Sequence, residues 1–453
     1  MAIKAEKKLP TIGVSTLGCP KNLVDTENMI GILHAAGYPI TSDHTKADIS
    51  LVNTCTFIEG STNESIDTLT ELADAGQKLI VTGCMAQRFK GDLFEELPEA
   101  QAVVGTGNVK DILKVVKEVT RNLNEGRDSK ILCVDEVPMA VADATTPRIH
   151  TQTGSSVYLK IAEGCDHRCA FCIIPYLRGD MKSRTVEDIV TEAKALVAGG
   201  AKEIVLVSQD STAYGTDIYK KRALAQLLEA LADQSGAKWI RLMYAYPTEM
   251  DAEMLSVIAS KPNIVKYIDI PLQHASAKIL KSMRRPLTVK DTVELIRKHL
   301  PQASIRTTFI VGFPGETDED FQELYDFIEE TRFDRVGIFT YSKEQGTPAN
   351  DYDEQVPDKI KNERRNRLML LQQRISYEKN QEYLGKKLEV FIEHIEENET
   401  GYRVVTRSFR DAPEIDGQVY IHCDHDAITP APGEFVSVKI TDCDEYDLVA
   451  EFH

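Results

Sequence analysis

The sequence predicts an α/β protein with three parts: an N-terminal parallel α/β sheet domain, an open six-stranded (β/α) partial barrel and a small C-terminal antiparallel β-barrel. Three observations predict this fold class. Short apolar runs alternate with helical patterns in the first 145 residues, and the same alternation resumes on a longer period from Ser155. After Gly385 the pattern changes to short β-rich runs separated by Gly, Pro and Asp. The predicted domains are therefore residues 1–145, 151–384 and 385–453.

The N-terminal part contains apolar runs that are typical of buried strands, at residues 11–17, 49–53, 79–82 and 102–105. Between them, residues 22–36, 59–75 and 87–96 carry apolar side chains at helical spacing. This alternation is typical of a parallel sheet covered by helices. Residues 121–130 are interpreted as a polar connector, and residues 143–154 as a linker into the next domain.

The middle part repeats the strand and helix pattern six times. Strands are predicted at residues 157–161, 203–207, 239–244, 267–270, 305–311 and 336–340, with helices such as 186–197, 222–232 and 288–299 between them. A long helix is predicted over residues 357–384, with an apolar stripe at Ile360, Leu368, Leu371 and Ile375. Five short strands follow, at residues 388–395, 402–409, 419–422, 435–440 and 448–452, and they predict the small barrel.

The amino-acid composition indicates which class of protein the sequence encodes. Hydrophobic residues make up 42% and charged residues 27% of the 453 residues, as in ordinary globular proteins. No apolar run is long enough to span a membrane, and the charged first ten residues lack the apolar core of a secretory signal. We therefore expect no membrane partner and a cytoplasmic location. Nine cysteines in a reducing compartment indicate metal binding or catalysis rather than disulfides.

Three of these cysteines lie close together directly after the first predicted barrel strand. Residues 163–172 read EGCDHRCAFC, which places Cys165, Cys169 and Cys172 in an x3, x2 spacing. Three thiolates on one loop can hold three irons of a 4Fe-4S cluster, which leaves the fourth iron open to the amino and carboxylate groups of S-adenosylmethionine. An electron from the reduced cluster would then cleave this cofactor to a 5′-deoxyadenosyl radical. A structural zinc site that uses His167 as its fourth ligand is the alternative.

A second set of three cysteines is spread over the N-terminal part. Cys19, Cys55 and Cys84 stand in the similar contexts TLGC, VNTC and VTGC, each at the end of a predicted strand. The carboxyl ends of parallel strands lie along one edge of a sheet, where such folds bind ligands. The three thiols are therefore predicted to hold a second cluster, with Gly18 and Gly83 allowing the backbone close approach. The alternative is three buried core cysteines. The remaining Cys133, Cys423 and Cys443 are interpreted as structural.

Polar residues at the carboxyl ends of the barrel strands are candidates for cofactor binding, because strand–helix barrels form their sites there. Asp210, Gln273, His274 and Gly315 are predicted to face this site, and Arg178 and Arg184, just past the cluster loop, could clamp a carboxylate. For the two arginines, a solvated surface position is the alternative. The predicted contacts of S-adenosylmethionine are Ser208, Gln209, Gly312, Glu316 and Arg184.

Together these motifs resemble the methylthiotransferase branch of the radical S-adenosylmethionine enzymes over essentially the whole chain. The resemblance rests on both cysteine sets and on the segments EGCDHRCAFCIIPYLRG and IVGFPGET. It implies an auxiliary-cluster domain, a radical S-adenosylmethionine barrel and a C-terminal TRAM barrel, with two 4Fe-4S clusters and S-adenosylmethionine as cofactors. One S-adenosylmethionine would supply the methyl group, and a second would supply the radical. A flavodoxin or ferredoxin-like reductant is expected.

Two subfamilies differ in substrate. The MiaB type modifies an adenosine of transfer RNA, and the RimO type modifies the β-carbon of an aspartate in small-subunit ribosomal protein twelve. The segment TLGCPKNLVDTE is similar to the RimO type, since the transfer-RNA enzymes typically carry Gln and Met in place of Pro20 and Lys21. Residues 386–453 contain six basic and 16 acidic residues, a net charge of −10 within the chain's −18. This charge suits a basic protein, or the small ribosomal subunit that contains it, better than transfer RNA. A non-enzymatic iron–sulfur carrier is a third hypothesis.

Overall fold

Parallel strands alternate with helices in the N-terminal part of the chain. The structure is a computed structural model that describes residues 9–138, 141–152, 154–398, 401–424 and 430–453. The N-terminal elements are β1 (Ile12–Thr16), α1 (Pro20–Ala35), β2 (Ile40–Thr41), β3 (Ile49–Thr54), α2 (Glu59–Asp74), β4 (Leu79–Gly83), α3 (Cys84–Phe89), α4 (Leu93–Glu96), β5 (Ala100–Val104), α5 (Ile112–Glu125) and β6 (Ile131–Cys133). The sheet order is β2-β1-β3-β4-β5-β6.

Three details of this sheet differ from the sequence prediction. The interpretation of residues 121–130 as a polar connector is wrong for its first half, because α5 continues to Glu125. The helix forms because Ile112, Val115, Val116 and Val119 recur at helical spacing and are buried. The strands β2 and β6 were not predicted, since two or three residues are too short for a detectable pattern. The predicted helix 87–96 is divided into α3 and α4.

The middle part contains the predicted open barrel of six parallel strands and, apart from it, one short antiparallel strand pair. Its elements are β7 (Ser156–Lys160), β8 (Ala162–Glu163), α6 (Ile174–Arg178), β9 (Lys182–Ser183), α7 (Val186–Ala198), β10 (Glu203–Val207), α8 (Leu224–Gln234), β11 (Trp239–Leu242), α9 (Ala252–Ser260), β12 (Tyr267–Asp269), α10 (Ala277–Ser282), α11 (Val289–His299), β13 (Ser304–Val311), α12 (Asp318–Thr331), β14 (Arg335–Thr340) and α13 (Asp358–Gln381). Two three-stranded ladders, β7-β10-β11 and β12-β13-β14, meet where Ile240 pairs with Ile264. Within the described residues no ladder joins β7 to β14, so the barrel is open.

The C-terminal part is a closed five-stranded barrel. Its strands are β15 (Lys387–Asn398), β16 (Gly401–Ser408), β17 (Val419–Cys423), β18 (Phe435–Cys443) and β19 (Leu448–Phe452), and they pair in the order β15-β16-β17-β19-β18. The prediction of antiparallel pairing holds for every strand pair except β17 and β19, which run parallel. On the preceding α13, Leu368, Leu371 and Ile375 are buried as predicted, whereas Ile360 is exposed.

The described residues divide into two compact units. The first takes in described residues of Met1–Thr151, Ala162–His167 and Cys172–Arg184, and the second those of Gln152–Ile161, Arg168–Phe171 and Thr185–His453. The predicted domain limits at residues 145, 151 and 384 stay predictions.

Charged pairs join the open barrel to the small barrel inside the second unit. Glu203, the first residue of β10, accepts hydrogen bonds from Arg241 and from Arg407 of β16, and all three side chains are buried. Arg335, the first residue of β14, donates to Asp411 at 2.6 Å. The small barrel therefore packs on the amino-terminal ends of the barrel strands, away from their carboxyl ends.

In the part of the chain that the structure describes, no helix is both long enough and apolar enough to cross a membrane.

Candidate metal centres

The three dispersed cysteines follow three adjacent strands of the N-terminal sheet. Cys19 precedes α1 after β1, Cys55 comes directly after β3, and Cys84 follows β4 as the first residue of α3. Because β1, β3 and β4 are neighbours and parallel, their carboxyl ends meet at one edge of the sheet. The structure thus brings together three thiols that are 36 and 29 positions apart in the sequence.

Asn22 holds the loops that carry these cysteines. Its Nδ2 donates to the carbonyl oxygens of Leu17 at 2.9 Å and Thr54 at 3.0 Å, which lie just before Cys19 and Cys55. The side chain is fully buried, so these bonds lie in a region from which water is excluded and help to keep the two loops in place. At the third loop, Gly83 has a φ of +91°, and a Cβ there would lie 2.2 Å from Oδ1 of Asn53. Only glycine fits this position.

The charges around the three thiols affect them unequally. Burial raises the pKa of Cys19, but the positive charges of Lys21 and Arg178 and two backbone N–H groups outweigh it, so the net shift is downward. Burial raises the pKa of Cys84 to about 11 despite the nearby Arg178, and burial likewise raises that of Cys55. The negative charge of a Cys19 thiolate adds to both increases. Cluster binding at this site would therefore release protons mainly from Cys55 and Cys84.

Arg178, at the end of α6, lies beside these cysteines in the first unit. Its Nη1 donates to the carboxylates of Asp25 at 2.8 Å and Glu163 at 3.0 Å, and its Nη2 donates to Oδ1 of Asn22. The same Nη2 is 3.6 Å from Sγ of Cys84. Arg178 does clamp carboxylates, as the sequence suggested, but they belong to the protein. The alternative of a solvated surface arginine is wrong, because the side chain is 1% exposed.

The closely spaced cysteines are divided between the two units, with Cys165 and Cys172 in the first and Cys169 in the second. In the first unit the backbone N–H of Cys165 donates to the carbonyl of Gly179 at 3.0 Å. Gly164 has a φ of +79°, and a Cβ there would lie 2.2 Å from the carbonyl oxygen of Asp180. The start of the loop is therefore held tightly against the turn after α6.

In the second unit Cys169 is buried and is contacted by an arginine that the sequence analysis missed. Nη1 of Arg285 lies 3.8 Å from Sγ of Cys169, and the guanidinium carbon stands 4.1 Å from the centroid of the Tyr246 ring. The neighbouring Ala170 is held through both backbone groups, to the carbonyl of Met283 and the N–H of Ala349. The turn around Cys169 is thus fixed by contacts with two separate segments of this unit, one at residues 283–285 and one at Ala349.

The donor set fits clusters better than a single ion. Among the described residues, no three His, Cys, Asp or Glu side chains converge where one metal ion could bind. A zinc site that includes His167 would need such convergence. The thiolates of a cubane lie farther apart, because each of them binds a different iron of one cluster. Each set supplies three thiolates, which are the ligands that iron–sulfur clusters use.

The predicted S-adenosylmethionine contacts lie in different places. Ser208 and Gln209 follow β10, Gly312 and Glu316 follow β13, and all four belong to the second unit. Arg184 belongs to the first unit and is buried. Ser208 is fully buried, with its Oγ 3.0 Å from Oγ of Ser211. The positions after the strand ends agree with the prediction, while the roles of these residues in binding stay predictions.

Glu316 organises the turn that follows β13. Its carboxylate accepts hydrogen bonds from the backbone N–H groups of Gly312 at 2.7 Å and Phe313 at 3.3 Å, and from Nη1 of Arg364 at 2.8 Å. Nε2 of His274 lies 3.5 Å away. At Gly312, where φ is +72°, a Cβ would lie 2.2 Å from Cγ of Lys361, so a close protein contact by itself requires glycine there.

The sequence did not predict a role for Asn22 or Arg285 beside the cysteines. It also did not predict that Arg178 lies beside Cys19, Cys55 and Cys84. Asn22 stands three residues after Cys19, inside a segment that was used only for the resemblance. No sequence pattern indicates a role for Arg285, because it lies 113 positions after Cys172 and next to an ordinary surface arginine.

Three parts of the chain match known families. Residues 11–105 match the uncharacterized protein family UPF0004, residues 159–328 the Radical SAM superfamily and residues 384–452 the TRAM domain. The relatives include the protein named ribosomal protein uS12 methylthiotransferase RimO from Trichormus variabilis, which is 48% identical over 98% of this chain and 98% of that protein. The chain belongs to the RimO family. RimO proteins of Acaryochloris marina (47% identical, covering 97% of this chain and 98% of that protein) and Synechococcus sp. (45%, covering 100% and 91%) are further relatives.

A solved structure also resembles this RimO family member. The radical S-adenosylmethionine methyltransferase TsrM from Kitasatospora setae, with cobalamin and a 4Fe-4S cluster bound, superimposes with a TM-score of 0.54. The match covers 75% of this chain and 76% of that one at 15% sequence identity. At this identity the likeness shows the fold alone, and it agrees with the parallel-stranded architecture described above.

Proposed function

We propose that this chain is a radical S-adenosylmethionine methylthiotransferase that adds a methylthio group to the β-carbon of an aspartate in ribosomal protein uS12. The observation that carries the proposal is its 48% identity, over 98% of both chains, to a protein named for that activity. The arrangement of the cysteines supports it, because three buried or half-buried thiols follow adjacent parallel strands and three more stand in the x3, x2 spacing.

Cys165, Cys169 and Cys172 hold one 4Fe-4S cluster, and Cys19, Cys55 and Cys84 hold the other. When bound, the first supplies the electron that cleaves S-adenosylmethionine, and the second supplies the place where the transferred sulfur is held. The protein positions these ligands and keeps water away from them. Asn22 holds the loops of Cys19 and Cys55 in place, and Arg285 holds Cys169 by contacting its Sγ.

Ser208, Gln209, Gly312, Glu316 and Arg184 bind S-adenosylmethionine in this proposal. Four of them follow the carboxyl ends of β10 and β13, where barrels of this type bind their ligands. Glu316 acts by holding the backbone N–H groups of Gly312 and Phe313, since its carboxylate is buried and engaged with them. The three functional domains of the proposal are residues 1–145, 151–384 and 385–453.

The charge of the small barrel supports a basic protein substrate over transfer RNA. Residues 386–453 carry six basic residues against 16 acidic ones. Two of the six, Arg407 and Arg410, are buried, so they contribute little positive charge to the surface. An acidic surface repels phosphate backbones and attracts basic ribosomal proteins, which speeds their encounter. We therefore propose a cytoplasmic enzyme that acts on uS12 or on the small ribosomal subunit, is reduced by a flavodoxin or ferredoxin-like protein, and does not use transfer RNA.

The test is to incubate the reconstituted protein anaerobically with reductant, S-adenosylmethionine and either uS12 or unmodified transfer RNA. We expect the mass of uS12 to increase by one methylthio group, with release of methionine and 5′-deoxyadenosine. Modification of transfer RNA alone would overturn the choice of substrate. Absence of both released products with either substrate would support the carrier hypothesis instead.

Cysteine variants assign the two sites separately. Cys172→Ala should abolish cofactor cleavage, whereas Cys55→Ala should leave some unproductive cleavage and stop sulfur insertion. Cys133→Ala is the matched control, because this half-buried cysteine ends β6 in the same unit and should not change either activity. Normal sulfur insertion by Cys55→Ala would show that the auxiliary site is assigned wrongly.

A further inference from the structure

Within the first unit, a single guanidinium contacts one cysteine of the auxiliary set and the segment that leads into the other set. Arg178 reaches Sγ of Cys84, at 3.6 Å, and the carboxylate of Glu163, at 3.0 Å. Cys84 is a proposed ligand of the auxiliary cluster, and Glu163 stands two residues before Cys165, a proposed ligand of the radical cluster. Cys84, Glu163 and Cys165 all belong to the first unit.

The surroundings of Arg178 explain why an arginine stands here. A buried cation is strongly destabilising unless charged and hydrogen-bonding partners compensate for the water that it loses. Asp25 and Glu163 supply two carboxylates to Nη1, while Asn22 and Cys84 face Nη2. These four partners lie around the planar fork of a guanidinium, which presents five donors in fixed directions. A lysine carries the same charge on one nitrogen and cannot reach the same partners together.

The four partners come from three separate segments of the unit. Asn22 and Asp25 lie on the first two turns of α1, directly after Cys19, and Cys84 begins α3. Glu163 is on the short strand β8. The hydroxyl of Thr106 also contacts α6, the helix that ends at Arg178, by donating to the carbonyl of Leu177 at 2.6 Å. The end of α6 is therefore held against the cysteine-bearing edge of the sheet, with Arg178 at the centre of the contact.

We propose that Arg178 is a positioning residue that serves both proposed clusters, by donating a hydrogen bond to the thiolate of Cys84 and by fixing, through Glu163, where Cys165 lies relative to that thiolate. The inference rests on the proposed function. Hydrogen bonds to the sulfur ligands of an iron–sulfur cluster, and the charges around it, set its reduction potential. A donor on Cys84 stabilises the reduced, more negative cluster, so Arg178 raises the potential of the auxiliary cluster.

The first experiment measures that potential directly. In full-length protein with Cys165, Cys169 and Cys172 changed to Ala, so that only the auxiliary cluster assembles, potentiometric titration is followed by EPR. Arg178→Lys should lower the potential by about 59 mV or more, which corresponds to a tenfold change in the one-electron equilibrium. Arg148→Lys is the matched control, because Arg148 is also buried and paired with a carboxylate, that of Glu27, in the same unit. The auxiliary-cluster potential of the Arg148→Lys variant should equal that of the triple-alanine protein without a further substitution.

The second experiment tests the link to the other loop. Glu163→Gln keeps the contact between Arg178 and Cys84. It removes the negative charge through which Arg178 pairs with the segment of Cys165. In protein that keeps all six proposed cluster ligands, this variant should release at least threefold more 5′-deoxyadenosine per methylthiolated product.

An unchanged potential in Arg178→Lys, or an equal shift in Arg148→Lys, would overturn the role at Cys84. An unchanged product ratio in Glu163→Gln would overturn the role at Cys165. These outcomes are distinct from failure of the proposed function, in which the unsubstituted protein would transfer no methylthio group to uS12.

Discussion

Gly18 leaves the space that the side chain of Cys55 occupies. A Cβ atom built at Gly18 would lie 2.6 Å from Cβ and 2.8 Å from Sγ of Cys55, and the backbone at Gly18 has a φ of +89°. Both the contact and the conformation require glycine. The loop of Cys19 and the loop of Cys55 therefore touch at a point where no larger residue fits, which is what a site shared by both cysteines needs.

Replacing Gly18 with Ala should prevent assembly of the auxiliary cluster and leave the radical cluster in place. The added methyl group forces the two loops apart, so the thiols of Cys19 and Cys55 can no longer bind the same cluster. Iron and sulfide should fall from about eight to about four of each per chain. Gly60→Ala on α2 is the control, since no atom lies within 4 Å of a Cβ at that position. Eight irons in the Gly18 variant would contradict the assignment.

Arg285 should tune the radical cluster through its contact with Cys169. Loss of the N–H donor 3.8 Å from Sγ removes a stabiliser of the reduced state, so Arg285→Gln should lower the cluster's potential. A given reductant then keeps less of the cluster in the reduced state, which slows cofactor cleavage. The measurement is a redox titration in protein that lacks Cys19, Cys55 and Cys84, with the rate of 5′-deoxyadenosine formation. Arg284→Gln removes the same charge from the adjacent, exposed position and should change neither quantity. Equal effects of both substitutions would mean that net charge, not the contact, matters.

Glu316→Gln should weaken binding of S-adenosylmethionine without loss of iron. The carboxylate holds two backbone N–H groups of the turn at Gly312, and a neutral amide accepts those bonds more weakly. We expect KM for S-adenosylmethionine to rise about tenfold or more, from the roughly 1.5–3 kcal/mol of a hydrogen bond to a charged group. Asp318→Asn is the control, because it alters the other, exposed partner of Arg364. An unchanged KM would remove Gly312 and Glu316 from the proposed binding site.

Glu203→Gln should destabilise the second unit strongly. It leaves Arg241 buried without its carboxylate and removes one of the two carboxylates that pair with Arg407, and breaking a buried pair in this way costs about 3–5 kcal/mol. Burial works against the ionised form, but the two arginines outweigh it and lower the pKa of Glu203 to about 2. A lowered pKa stabilises the fold above the unfolded value of about 4.3, and this contribution is lost only as the pH falls toward 2. Urea unfolding at neutral pH therefore measures the whole effect.

The exposed pair between Glu396 and Arg403 of the small barrel is the control for Glu203. Water screens such pairs, so Glu396→Gln should leave the urea midpoint nearly unchanged. Similar midpoints for the Glu203 and Glu396 variants would show that the buried network does not hold the two barrels together.

The sequence determined the order of elements and both cysteine sets. Alternation of apolar runs with helical patterns predicted the parallel strands, because a buried face requires apolar residues at a regular spacing in the sequence. The set Cys165, Cys169 and Cys172 was visible from spacing, and Cys19, Cys55 and Cys84 from their shared position after strands. The helix α5 was missed in part, since its polar end hid the continuation of the apolar stripe.

Only the tertiary structure decided what surrounds the cysteines. Sheet order places β1, β3 and β4 side by side, and no local pattern records which strands are neighbours. Arg178 is 94 positions from Cys84, and Arg285 is 116 positions from Cys169. An arginine at the surface and one buried among carboxylates read alike in the sequence, because the partners that make burial possible come from distant segments. The sequence therefore identified the proposed ligands, whereas the fold alone showed which charges and hydrogen bonds act on them.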